Sequence, residues 1–131
     1  MSPRVSLATD ERSIAAGRRS TRRPAWLVCQ LCSHRITALS AAISFDGAHE
    51  HRFTNPAGLT FLIILQRRAP GCVEEGNGSE YWSWFPGYTW RVTACGGCGL
   101  HLGWLFDCIG RPGQGEPERF HAVIAERLRL E

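Results

Sequence analysis

Short apolar runs broken by turn signals extend from Ala25 to Leu130, and they predict a mostly β domain of short strands held by long loops. Ala25 to Val28 opens the first ordered element and runs into Cys29-Gln30-Leu31-Cys32. Arg35 to Ile43 mixes apolar and polar positions without a clean period, and Asp46-Gly47 is a turn signal. Asn55-Pro56-Ala57-Gly58 marks a loop, because proline fixes its own φ and glycine admits positive φ. Leu59 to Gln66 then reads as a buried strand, and Arg67 to Ser79, rich in Gly, Glu and Pro, as a surface excursion. Tyr81 to Phe85 is aromatic and expected to be extended, and Pro86-Gly87 turns the chain. Tyr88 to Ala94 reads as a strand leading into Cys95-Gly96-Gly97-Cys98, His101 to Phe106 as a further strand, and Arg111 to Pro117 as a loop. The last segment, Phe120 to Leu130, fits two patterns. Phe120, Val123, Ile124 and Leu128 would share a helix face, whereas Phe120, Ala122 and Ile124 would share one side of a strand.

A length of 131 residues suits one domain, and 44% apolar residues with five Trp and six Phe supply a core. All fifteen basic residues are Arg, for a net charge of +3, which suggests an acidic partner such as nucleic acid. Position changes that picture. Residues 1 to 23 hold six arginines against two acids, net +4, while the remainder holds nine against ten, net −1. The basic character belongs to an Arg-rich leader, residues 1–24, expected to be disordered because it offers little apolar surface to bury. Residues 25–131 form the single, nearly neutral domain. Without lysine, Schiff-base catalysis is excluded. No run reaches the roughly 18 apolar residues of a membrane span, and the leader lacks the apolar stretch of a secretory signal. A cytoplasmic, soluble protein is expected, in which cysteines serve as thiols or metal ligands.

Cys29, Cys32, Cys95 and Cys98 form two CxxC pairs. Two intervening residues let a tight knuckle aim both sulfurs at one ion, and two knuckles complete the tetrahedral shell of structural Zn²⁺. The 62 residues between Cys32 and Cys95 make the ion a long-range clamp. A redox CxxC or four buried thiols are the alternatives, and the matched pairs favour zinc. Four thiolates leave no open position for substrate, so the metal is structural. Cys72 and Cys108 are left over, His101 is expected as a packed or hydrogen-bonded strand residue, and His34, His49, His51 and His121 show no ligand spacing.

Trp82, Trp84, Trp90 and Trp104 lie within 23 residues, with Phe106 two positions beyond Trp104. Residues at i and i+2 of a strand share a face, so Trp104 pairs with Phe106, and Trp82 with Trp84 if that segment is extended. Such a set is either core or an aromatic cage whose flat walls grip a ring or a cation.

The run Trp84-Phe85-Pro86-Gly87-Tyr88-Thr89-Trp90, then Cys95-Gly96-Gly97-Cys98, then His101-Leu102-Gly103-Trp104-Leu105-Phe106, closely resembles the thalidomide-binding, or CULT, domain family of cereblon type. Cys29, Cys32 and the loop Phe53 to Gly58 fit the same pattern, and the likeness covers about residues 25 to 130. The resemblance implies a β-tent, two antiparallel sheets at a steep angle pinned by one four-cysteine zinc site. It implies a cage of Trp84, Trp90, Trp104 and Phe106 around a cyclic imide such as a glutarimide, or a uracil or uridine-like ring. Main-chain groups near Trp82 and Trp84 would bond the imide edge, and Asn55 would sit on the loop closing over the ligand. Trp82 stands where full-length cereblon is expected to carry histidine. The form resembled is the stand-alone, bacterial type, expected to be a monomer with no ubiquitin-ligase scaffold, membrane or nucleic-acid partner.

Two rivals belong to other classes. B-type methionine sulfoxide reductases are similar in their paired CxxC site and β-tent shape, yet they need a late reactive cysteine where this chain has Arg119-Phe120-His121. A single-stranded nucleic-acid binder would use the Arg-rich leader and exposed Trp, against which the −1 charge of the remainder argues. The sequence therefore reads as a binding domain rather than an enzyme.

Overall fold

The computed structural model describes residues 25–131, so the expectation for the leader, residues 1–24, lies outside the described residues. Among the described residues, nine strands form two antiparallel sheets. The smaller contains β1 (Trp26–Cys29), β2 (Arg35–Ala38) and β9 (Leu128–Leu130) in the order β2-β1-β9. The larger contains β3 (Glu50–Thr54), β4 (Thr60–Gln66), β5 (Cys72–Ser79), β6 (Tyr88–Cys95), β7 (His101–Cys108) and β8 (Arg119–Ile124), in the order β3-β4-β8-β7-β6-β5. The mostly β, two-sheet fold class is as expected.

The large sheet is covered on both faces. One face meets the small sheet through Leu27, Ile36, Leu39, Ile64, Leu102, Val123 and Leu128. The other carries Phe45, Ile63, Leu65, Phe85, Tyr88, Phe106, Phe120, Ala122 and Ile124. Strand β8 alternates between these two cores, with Phe120, Ala122 and Ile124 in one and Val123 in the other. Its ambiguous pattern thus resolves into strand β8, a 3-10 turn at Ala125–Arg127, and β9.

Several expectations need correction. Residues 72–79 are not a loop excursion but strand β5, the outer edge of the large sheet; most of it is exposed, so it carries no apolar alternation to read. Strand β4 is buried only from Ile63 onward. Tyr81 to Phe85 is not extended: Trp82 has φ 58, in the left-handed region, and a turn closes from Ser83 N–H to Glu80 O at 3.2 Å. Strand β3, which the pattern does not predict, pairs along its length with β4. Gly103 is needed where it stands, since a Cβ there would meet the Ala122 carbonyl oxygen of β8 at 2.0 Å.

Candidate functional site

The two CxxC segments fold as matching knuckles. In the first, Ser33 N–H donates to Cys29 O (2.8 Å) and Cys29 N–H to His34 O (2.8 Å); in the second, Gly99 N–H donates to Cys95 O (2.9 Å) and Cys95 N–H to Leu100 O (2.8 Å). Both turns close through a left-handed residue, Ser33 at φ 68 and Gly99 at φ 83. Cys29 ends β1 of the small sheet and Cys95 ends β6 of the large one, so the knuckles bring the sheets together. The four Sγ atoms lie within 4.8 Å of one another. Cys29 Sγ is 3.8 Å from Cys98 Sγ, and Cys32 Sγ is 3.6 Å from Cys95 Sγ. Tetrahedral bonds of about 2.3 Å from sulfur to zinc require sulfur separations of about 3.8 Å, so this donor set fits such an ion. Gly97 N–H and Cys98 N–H point at Cys95 Sγ, at 3.3 and 3.5 Å, placing positive dipoles on a sulfur that would carry charge. Cys72 lies outside this cluster, and burial pushes its thiol up to about 11.

On the opposite face of the large sheet, Asn55, Trp82, Trp84, Trp90, Trp104 and Phe106 line one cavity of about 300 Å³, together with Pro56, Tyr81, Val92 and His101. Their roles differ. Phe106 is buried and stacks on Phe120 at 5.2 Å, and Trp104 is buried against Trp84 at 4.7 Å, edge to face, so these two form the floor. Trp84 and Trp90 are half-buried walls, and Trp82 is an exposed rim residue. Core and cage are therefore not exclusive: floor residues belong to both. Behind the walls, Phe53 stacks on Trp84 at 5.1 Å and Phe61 meets Trp104 at 5.3 Å, which limits rotation of the indoles.

The indole N–H groups are mostly spent within the protein. Trp82 Nε1 and Trp84 Nε1 both donate to Thr54 O at 3.1 Å, and Trp90 Nε1 donates to Tyr81 O at 2.7 Å. The first two bonds tie the aromatic segment to the hairpin carrying Asn55. Asn55 Oδ1 in turn accepts from Ala57 N–H and Leu59 N–H, which shapes that hairpin loop. By contrast, the main-chain N–H and C=O of Trp82 and the N–H of Trp84 have no hydrogen-bond partner among the described residues. His101 contacts Trp104 edge to face at 4.9 Å, and its Nε2 lies 3.1 Å from Gly103 O. Burial pushes the pKa of its imidazole below the ordinary value.

The six proposed ligand residues are thus brought into one cavity, and the four proposed metal ligands into one cluster. The sequence reading missed Pro56, Tyr81, Val92 and His101 as lining. Val92 was signalled, since it follows Trp90 by two positions on β6. Cys108, at the end of β7, packs against the aromatic core and has its sulfur 3.7 Å from the Ile109 carbonyl.

Comparison with curated proteins finds cereblon. The chain is 44% identical over 106 residues to protein cereblon of Drosophila virilis, 37% over 76 residues to that of Gallus gallus, and 33% over 76 residues to that of Danio rerio. These matches support a cereblon-type, or CULT, domain. They cover 78% of this chain for the fly protein and 58% for the chicken and fish proteins, and the chain spans about a sixth of each cereblon's length, 16% or 17%. No protein-family model matches the chain. Among the described residues, no helix is long and apolar enough to cross a membrane.

Proposed function

We propose that this cereblon-type domain binds a flat cyclic imide, of the glutarimide or uracil type, in the aromatic cavity, and that binding itself is its activity. One observation carries the reading: an aromatic cavity of about 300 Å³ is bordered by a main-chain segment with unpaired donor, acceptor and donor groups, Trp82 N–H, Trp82 C=O and Trp84 N–H. An imide edge presents acceptor, donor and acceptor, the complementary order. Indole faces cover the ring and exclude water, which strengthens those hydrogen bonds. No carboxylate lines the cavity, which favours a neutral ring over a cation. The cavity would work as part of a monomer, without a ubiquitin-ligase scaffold, and the four thiolates would hold a structural Zn²⁺.

Titration of tryptophan fluorescence with glutarimide and with N-methylglutarimide tests this. Glutarimide should quench, and its N-methyl derivative should bind at least about fivefold more weakly, because it leaves the Trp82 carbonyl unsatisfied at a cost of about 1 to 3 kcal/mol. Trp90→Ala should abolish the quench while leaving one zinc per chain. Equal binding of the two compounds, or no binding of either, would refute the reading. Thiol-dependent reduction of methionine sulfoxide should be blank, and turnover lost in Cys108→Ser would assign an enzyme instead.

A further inference from the structure

We propose that Cys72 and Cys95 form an oxidative modification site, a disulfide across the β5–β6 ladder that withdraws Cys95 from the metal-ligand set. Cys72 opens β5 and lies directly opposite Cys95, the last residue of β6. Neither donates its N–H to the other: Cys72 N–H donates to Ala69 O at 3.0 Å and Cys95 N–H to Leu100 O at 2.8 Å. The bracketing bond instead runs from Gly96 N–H to Gly71 O at 2.8 Å. This is the signature of a non-hydrogen-bonded pair, in which opposed Cα atoms lie about 4.5 Å apart and both side chains leave the same face. A disulfide accepts Cα separations of about 4.4 to 6.8 Å, so the bond can form without sliding either strand.

Exposure sets the order of events with a peroxide as oxidant. Cys32 and Cys98 are exposed, Cys29 and Cys95 are buried, and Cys72 is partly buried. The Cys32 thiolate attacks one peroxide oxygen, the O–O bond breaks, and a sulfenic acid and hydroxide result. Cys95 Sγ, 3.6 Å away, then attacks the Cys32 sulfur and displaces a second hydroxide, giving a Cys32–Cys95 disulfide. Cys72, after losing its proton to solvent, attacks the Cys95 sulfur, forms the Cys72–Cys95 bond and releases Cys32 as thiolate. The proton lost by Cys72 and one from solvent convert the two hydroxides to water, so hydrogen peroxide has been reduced to two waters, and the two electrons come from Cys72 and Cys95. The product lies within a ladder that already holds both residues opposite each other, whereas a Cys32–Cys95 bond bridges two separate knuckles.

The experiment uses the full chain loaded with zinc and treated with hydrogen peroxide. Free thiols are then alkylated, disulfides mapped by peptide fragmentation, and zinc release followed with a chromophoric chelator. The expected end product joins Cys72 to Cys95, with loss of one zinc per chain that thiol reductant and added zinc restore. Cys72→Ser should bind zinc normally before oxidation and stop at the Cys32–Cys95 disulfide. If Cys72 in the native sequence stays fully alkylatable after zinc has left, or if the dominant final disulfide lacks Cys72, the proposal is overturned. Should Cys72→Ser fail to bind zinc, the map of the native sequence decides alone.

Discussion

His121 occupies the face of β8 opposite Phe120 and Ala122, flanked in the sheet by Gln66 of β4 and Leu105 of β7. Its Nδ1 is buried without a hydrogen-bond partner, and burial drives its pKa down to about 4; the charges acting on it are Glu74, Asp107 and Arg119. A native imidazole that refuses a proton below its ordinary 6.5 stabilises the fold fully above that pH and loses the contribution as pH falls toward 4. The loss should reach about 3 kcal/mol at most, since each tenfold weakening of proton binding is worth about 1.4 kcal/mol. The melting temperature of the native sequence should therefore drop between pH 7 and 4 more steeply than that of His121→Leu; parallel curves would show that His121 titrates normally. Asp107 has the opposite chemistry. Burial alone would raise its pKa, yet hydrogen bonds from Arg119 (2.6 Å) and Arg91 (3.0 Å) outweigh that and hold it below the usual range. At this scale the cage was legible where residues two apart lie on a strand, as with Trp104 and Phe106. Tyr81 was not, because the positive φ of Trp82 reverses the chain in a way no alternation encodes.

Gln66 joins elements rather than residues. Buried at the end of β4, its Nε2 donates to Thr37 Oγ1 and to Ala38 O, both at 2.9 Å, while Thr37 Oγ1 donates to Arg68 O at 2.8 Å. These bonds stitch β2 of the small sheet to the large sheet. Gln66→Leu would strand the Ala38 carbonyl in the interior and should cost about 1 to 3 kcal/mol in chemical denaturation; an unchanged midpoint would mean water replaces the amide. Apolar or aromatic runs bounded by turn signals were the readable elements: β6, β7 and the buried end of β4, of which β7 and the end of β4 are buried on both faces. Strand β5 escaped because an edge strand with both faces exposed looks like a loop, its Glu74 and Glu75 serving to blunt the edge. Strand β8 stayed ambiguous because burial on two faces removes the period of two and no Gly or Pro between Arg119 and Leu130 marks where it ends.

For the whole molecule, the knuckles at the ends of β1 and β6 would clamp the sheets through the proposed zinc, on the face away from the cavity. Structural zinc contributes about 10 to 16 kcal/mol in small domains, as much as a domain's entire stability of about 5 to 15 kcal/mol. Chelation, or Cys29→Ser, should thus abolish the cooperative melting transition; a metal-free chain that melts as before would show the clamp to be dispensable. The clamp was legible from spacing alone, because CxxC fixes its own local geometry. The main-chain edge beside the cavity was anticipated near Trp82 and Trp84 through the family resemblance alone, and the turn that shapes it was not, because no side-chain pattern encodes the positive φ of Trp82. The central claim is that the cavity takes a cyclic imide. Indole N–H resonances of the zinc-loaded protein test it most directly, since Trp26 lies on β1 of the small sheet and serves as an internal control. Saturating glutarimide should shift the resonances of Trp84, Trp90 and Trp104 and leave that of Trp26 in place. Five unmoved resonances, or five that move together, would contradict the account.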